Sequence, residues 1–115
     1  MLISYDIADK ICTVSIQGSL NMQFTGKLRS YLTRLIKEET FQGLLIDLKE
    51  VDIMDSTGLA VIILLRKELK EENIKFVLCQ PNAAVTLAAQ RIGLDELVKI
   101  YDTQADALAS FQHKG

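Results

Sequence analysis

Only three residues, Ala8, Asp9 and Lys10, separate two segments in which apolar and polar side chains alternate. In the first, Ile3, Tyr5 and Ile7 share one face, and in the second Cys12, Val14 and Ile16 do. A period of two marks a strand with one buried face. A linker this short cannot carry a crossover, so the pair must form an antiparallel hairpin. The chain therefore starts its sheet with a hairpin, and whatever follows must cover the apolar face of that hairpin.

After Gly18 the period changes. Phe24, Leu28, Tyr31, Leu32, Leu35 and Ile36 recur at helical spacing, and Ser19 or Asn21 suits the cap of that helix. Leu44, Leu45, Ile46 and Leu48 make a nearly continuous apolar run, the pattern of a strand covered on both faces. Residues 49–56 combine turn residues with a second short apolar stretch. A helix is predicted over 58–72, a buried strand over 74–79, a short helix after Pro81 and Asn82 that stops at Gly93, and a weaker strand over 97–101. A final helix capped by Asp102 or Thr103 precedes a frayed tail at 113–115. The predicted order is β-β-α-β-α-β-α-β-α, an α/β fold whose mixed sheet is mostly parallel after the hairpin. With 115 residues there is material for one domain, over 1–112.

Several function classes are disfavoured. Residues 1–57 carry 6 basic and 8 acidic side chains and residues 58–115 carry 7 of each, so neither half has the basic excess expected of a nucleic-acid binder. The longest unbroken apolar run, 59–65, is too short to span a bilayer, and the N-terminal alternation lacks the layout of a signal peptide. No membrane association is expected, and the expected compartment is the cytoplasm. Cys12 and Cys79 form no metal-ligand pair and sit in apolar runs, where cysteine acts as a small hydrophobe.

Catalysis finds little support. The sole histidine, His113, lies in the tail, so no nucleophile–histidine pair is expected inside the fold. Gly18 and Gly26-Lys27 have the wrong spacing for a phosphate loop, and Leu28 stands where a metal-binding hydroxyl is needed. The acidic residues Asp47, Glu50, Asp52 and Asp55 read as a solvated loop rather than a cation site. No metal and no cofactor are expected. A receiver domain shares this length and alternation but needs an acidic pair and a helix where this chain has a hairpin.

The informative segment is Met54-Asp55-Ser56-Thr57-Gly58-Leu59, which joins a strand to a helix. Asp55, Ser56 and Thr57 are all good N-caps, and satisfying the first amides of the helix is one sufficient reason for them. A hydroxyl at a helix N-terminus is also well placed to carry a phosphate, because the dipole favours negative charge there. Gly58 lets another backbone or a phosphate approach closely. In the helix that follows, Val61, Ile62, Leu65 and Leu69 form the expected core stripe. The opposite side holds Ala60, Ile63 and Leu64 in its first turns and Lys67 and Glu71 further on. Either another helix or a partner protein covers that apolar half.

At this point the chain resembles a known family. Leu44-Leu45-Ile46-Asp47-Leu48 followed by Val51-Asp52-Ile53-Met54-Asp55-Ser56-Thr57-Gly58-Leu59 resembles the core signature of STAS domains, and within them the bacterial anti-sigma-factor antagonists. Gly18-Ser19-Leu20-Asn21, Ile92-Gly93-Leu94 and Asp106-Ala107-Leu108 resemble three further family motifs, in matching order along nearly the whole chain. The family usually carries an acidic residue where this chain has Asn21, which keeps the hydrogen-bonding shape and drops the charge.

The resemblance implies a non-enzymatic binding module. Its dephosphorylated form binds an anti-sigma factor that is also an ATP-dependent serine kinase, releasing the sigma factor. Phosphorylation of the motif serine, here Ser56, ends that binding, and a serine phosphatase restores it. The implied partner surface comprises Asp55, Thr57, Gly58, Leu59, Ala60, Ile63 and Leu64, with Ser19 and Asn21 on the adjoining loop. A STAS subunit with another role, as a signalling scaffold or an accessory subunit of a lipid-transport ATPase, would keep the same fold.

Overall fold

The computed structural model describes residues 2–112. The expected tail at 113–115, with His113, lies outside them. Strand β1 (Leu2–Ala8) pairs antiparallel with β2 (Ile11–Leu20) in unbroken register from Leu2↔Gln17 to Ala8↔Ile11. The turn is thus Asp9-Lys10, both at positive φ (52° and 68°), the two-residue geometry whose twist matches that of the strands.

β2 is ten residues long, and its two halves have different neighbours. Residues Ile11 to Ser15 pair in parallel with β3 (Gly43–Asp47), whereas Gly18 and Leu20 pair with β4 (Val51–Met54). The change of partner falls at Gly18, whose φ of 124° is open only to glycine and whose amide donates to the Glu50 carbonyl at 3.0 Å. The register also shifts between Gly18 and Leu20. The remaining strands, β5 (Lys75–Cys79) and β6 (Lys99–Tyr101), complete a sheet ordered β1-β2-β3-β5-β6, with β4 beside the far half of β2.

Helices α1 (Thr25–Glu38), α2 (Ser56–Glu71), α3 (Ala83–Arg91), α4 (Leu94–Leu97) and α5 (Gln104–Ser110) connect and cover these strands. The main core joins Cys12, Val14, Ile16, Leu44, Ile46 and Leu78 of the sheet to Leu28, Leu32, Ile62, Leu65 and Leu69 of α1 and α2. A smaller cluster on the opposite face joins Leu45, Val77 and Cys79 to Ala107 of α5. Every residue of β3 is buried because both faces are covered, which is why its sequence does not alternate. Each large side chain so buried contributes about 1.5–3 kcal/mol.

The predicted α/β class, the opening hairpin and the strand–helix alternation all hold, and the structure adds two elements. β4 is a four-residue strand within 49–56, and α4 is a single turn ending at Leu97, so the strand expected over 97–101 is confined to Lys99–Tyr101. The cap of α1 also differs. Neither Ser19 nor Asn21 caps it; the N-cap position is Phe24, with no side-chain bond. Asn21 closes the preceding turn instead, its Oδ1 accepting the Gln23 amide at 3.0 Å and its carbonyl accepting the Phe24 and Thr25 amides. Cys12 and Cys79 are buried free thiols. Among the described residues no helix is long and apolar enough to cross a membrane.

Candidate functional site

The strand-to-helix turn after β4 resolves which of three good caps does the capping. Asp55 holds the N-cap position with extended backbone. Its Oδ1 accepts the amides of Thr57 (3.0 Å) and Gly58 (3.1 Å) and the Thr57 hydroxyl (2.6 Å). Its Oδ2 accepts the amide of Met22 from the loop between β2 and α1, at 3.2 Å. Its own amide donates to the Leu20 carbonyl at 3.0 Å. The Thr57 hydroxyl, with help from the Gly58, Met22 and Thr57 amides, holds the Asp55 carboxyl below its ordinary pKa of 3.8, against a smaller opposing effect of burial.

Ser56 is thereby released from structural work. It is the first residue of α2 and is exposed, and among the described residues no hydrogen bond is made by its hydroxyl. The oxygen therefore sits at the positive end of a 16-residue helix, open to solvent.

Gly58 is buried for a reason of backbone approach. A Cβ there would lie 2.7 Å from the Leu20 carbonyl oxygen and 3.1 Å from Met54 Cγ. The close neighbour expected from the sequence is thus the end of β2. This contact, with the Asp55–Met22 bond, sets the end of β2 and the loop that starts at Asn21 against the start of α2; Ser19, expected on that loop, lies in the strand instead. Ser19 and Asn21 are both half-buried.

The other expected partner residues divide by orientation. Ala60 is exposed and Leu64 is 46% exposed. Ile63 is half-buried and packs against the core. Leu59 is 2% exposed and belongs to the core, which corrects its placement on the partner surface. It takes the position expected of Val61 in the buried stripe; Val61 is only half-buried and faces the groove beside α1 with Arg29 and Leu32. The flanks of α2 are covered by neighbouring helices: Arg29 of α1 pairs with Glu68 at 3.0 Å, and Arg66 Nε donates to the Leu97 carbonyl at 2.8 Å. Its outermost stripe, Ala60 and Leu64, is not.

Two exposed apolar residues escaped the sequence reading: Met22 (76% exposed) and Ile53 (61%). Met22 lies on the loop tied to Asp55, and Ile53 lies on β4, three residues before Ser56. Ile53 carries a signal in hindsight, as an apolar side chain between Asp52 and the motif. Met22 carries none until the Asp55 bond is known.

The acidic residues around this turn do not act together. Asp47 is buried rather than solvated, its carboxylate accepting from the side-chain amides of Gln80 (3.0 Å) and Gln104 (2.9 Å) and from the Lys49 amide (2.9 Å). Glu50 and Asp52 are exposed, and Asp55 caps α2. Among the described residues no three Asp, Glu, His or Cys side chains are grouped to hold a metal ion.

An α/β sheet opened by a hairpin, with an aspartate-capped helix that leaves its first serine uncommitted, defines a domain of recognisable architecture. The chain belongs to the STAS domain family, whose model matches residues 3–107. A candidate anti-sigma factor antagonist from Thermotoga maritima is 26% identical over 110 residues, which cover 96% of this chain and 97% of that one. The crystal structure of a candidate antagonist from the same organism superposes with a TM-score of 0.89, covering 96% of this chain and 95% of that one at 26% identity. The anti-sigma F factor antagonist of Paenibacillus polymyxa is 24% identical over 102 residues, covering 89% of this chain and 87% of that one. The phosphorylated form of the Bacillus cell-fate determinant SpoIIAA shares the fold, with a TM-score of 0.72 at 15% identity, covering 96% of this chain and 99% of that one.

Proposed function

We propose that this protein is an anti-sigma-factor antagonist controlled by phosphorylation of Ser56. It acts as one STAS domain over 1–112 in the cytoplasm. Its dephosphorylated form binds an anti-sigma factor that is also an ATP-dependent serine kinase, and a serine phosphatase reverses the modification. The observation that carries this reading is the division of labour at the start of α2. Asp55 does all the capping, so the exposed Ser56 hydroxyl is chemically uncommitted. The names of the Thermotoga and Paenibacillus relatives support the partner class.

The switch follows from charge and burial. A phosphate on Ser56 adds about −1.5 to −2 charges. The α2 dipole stabilises it by about 0.3–1 kcal/mol at an exposed site, and the adjacent Asp55 carboxylate opposes it. These effects offset each other in the free protein. In a complex, Met22, Ala60 and Leu64 become dry, and an unpaired dianion beside them costs several kcal/mol. Phosphorylation therefore blocks association at the interface without rearranging the sheet.

The test is to incubate the protein with ATP, magnesium and the kinase-like anti-sigma factor from its genomic neighbourhood. Phosphate mapped to the Ser56 peptide, with partner affinity lost in the modified form, supports the proposal. No transfer and no binding, or transfer to another peptide, refutes it. NMR shifts confined to 55–59 after modification are expected, and a displaced distal helix would overturn the interface mechanism.

A further inference from the structure

The Asp55 carboxylate receives one donor more than capping requires. An N-cap side chain is complete when it accepts the amides of the second and third helical residues, and Asp55 Oδ1 already accepts those of Thr57 (3.0 Å) and Gly58 (3.1 Å). The Thr57 hydroxyl adds a further bond to the same oxygen, at 2.6 Å the shortest that this side chain makes. Hydroxyl-to-carboxylate bonds of this length are of the strong, charge-assisted kind. Thr57 is half-buried with its hydroxyl engaged in this way, whereas Ser56 beside it is exposed.

The extra bond has a consequence at the other oxygen. The terminal torsion of an aspartate is broad, so two amides on Oδ1 leave the carboxylate room to rock. The hydroxyl narrows that motion and so fixes where Oδ2 stands. Oδ2 accepts the Met22 amide at 3.2 Å, the longest bond of the four and the one that reaches across to the loop before α1. Met22, 76% exposed, is held on that loop at the start of α2.

We propose that Thr57 is the positioning residue of this site: its hydroxyl locks the Asp55 carboxylate in the orientation that both caps α2 and holds the Met22 loop beside Ser56. The two hydroxyls of the motif are then not interchangeable. A phosphate on Thr57 would remove the donor and set a dianion against the Asp55 carboxylate, whereas one on Ser56 leaves this bond in place. The kinetic part of the inference rests on the reading of Ser56 as phosphate acceptor; the geometric part does not.

Carboxyl NMR titration and amide exchange test it in Thr57→Val, which keeps the branched shape and removes the donor, and in Thr57→Ser, which keeps the donor. Thr57→Ala is a second hydroxyl-free variant, and circular dichroism verifies that each is folded. Without the hydroxyl the Asp55 carboxyl should titrate closer to 3.8, and the Met22 amide should exchange about fivefold faster. Thr57→Ser should keep the natural behaviour of both. No other titratable side chain stands at 21–24 or in the first turn of α2, and Asp52 of β4 is exposed and common to all variants, so the titration reports this bond. With ATP, magnesium and the kinase-like anti-sigma factor from the genomic neighbourhood, KM for the hydroxyl-free proteins should rise about fivefold at little-changed kcat, with transfer still to Ser56. Natural titration and exchange in a folded hydroxyl-free variant overturn the proposal. So does a Thr57→Ser that behaves like Thr57→Val, or an unaltered KM. A natural protein that accepts no phosphate refutes the role of Ser56 instead, and titration and exchange then decide the role of Thr57 by themselves.

Discussion

Asp55 binds the first turn of α2 with one carboxylate oxygen and the Met22 amide, 33 residues earlier in the chain, with the other. One side chain therefore caps the helix that carries Ser56 and also fixes the loop beside it. Ser56 is left with no share in holding the fold, and that separation makes its modification compatible with an unchanged sheet.

Substitutions at these two neighbours should therefore separate cleanly. Ser56→Ala should remove phosphorylation and change stability by less than about 0.5 kcal/mol, as for an exposed residue outside a cap. Asp55→Ala should cost about 0.5–2 kcal/mol through loss of the cap, with further loosening at Met22. Urea denaturation of both variants measures this, and a Ser56→Ala loss as large as that of Asp55→Ala would show that the serine shares the capping.

The Asp55 carboxyl gives this cap a pH signature. Its folded pKa lies below 3.8, so its contribution is fully present above that value and is lost as pH falls through the folded pKa. Asp55→Asn, which keeps an acceptor oxygen for the cap, should flatten the acid limb of the stability profile. Denaturant midpoints in acid buffers for both proteins provide the comparison, and parallel profiles would assign the acid limb elsewhere.

Gly58→Ala should be destabilising even though alanine is the better helix former by about 1 kcal/mol. The added methyl group would meet the Leu20 carbonyl oxygen at 2.7 Å, in backbone that cannot swing aside. Overpacking of this kind costs about 1–3 kcal/mol. A thermal melt above that of the natural sequence would show that β2 and α2 are looser here than described.

On the outer stripe of α2, Leu64→Asp should weaken partner binding at least tenfold while shifting the melting temperature little, because Leu64 is 46% exposed. Ile63→Asp is a poorer probe. Ile63 packs against the core, so this change should lower stability as well as binding. Isothermal titration calorimetry beside a thermal melt separates the two effects, and unchanged affinity in a folded Leu64→Asp would remove this stripe from the interface.

At alkaline pH the two thiols should act together. Burial pushes Cys12 up to about 11 and Cys79 up to about 12, from 9.0, with the nearby Asp47 carboxylate adding to the effect at Cys79. The unfolded chain releases these protons first, so stability should fall as pH rises above 9.0 and be insensitive to them below it. Denaturant midpoints across that range check this, as does slow labelling of the native protein by a thiol reagent near neutral pH.

Much of this protein is legible along the chain because its causes are local. The three-residue gap at 8–10 forces a hairpin, alternation at Cys12, Val14 and Ile16 gives a one-faced strand, and the run Leu44-Leu45-Ile46 gives a strand covered on both sides. The motif Asp55-Ser56-Thr57-Gly58 marks the site, since strand, cap and helix start meet within it. The rest required contacts between distant residues. β4 exists because β2 outruns β3 and bends at Gly18 to take a second partner, which four residues of sequence cannot announce. Which of three good caps holds α2, and hence which hydroxyl is left over, depends on Met22 and Leu20 reaching Asp55 from the other side. Leu59 and Ile63 differ by little on a helical wheel, yet one is buried and the other half-buried, because the sheet and the flanking helices fix the rotation of α2. Local spacing determines which segments are helices or strands; only the packing of one element on another decides which side chains are left for a partner.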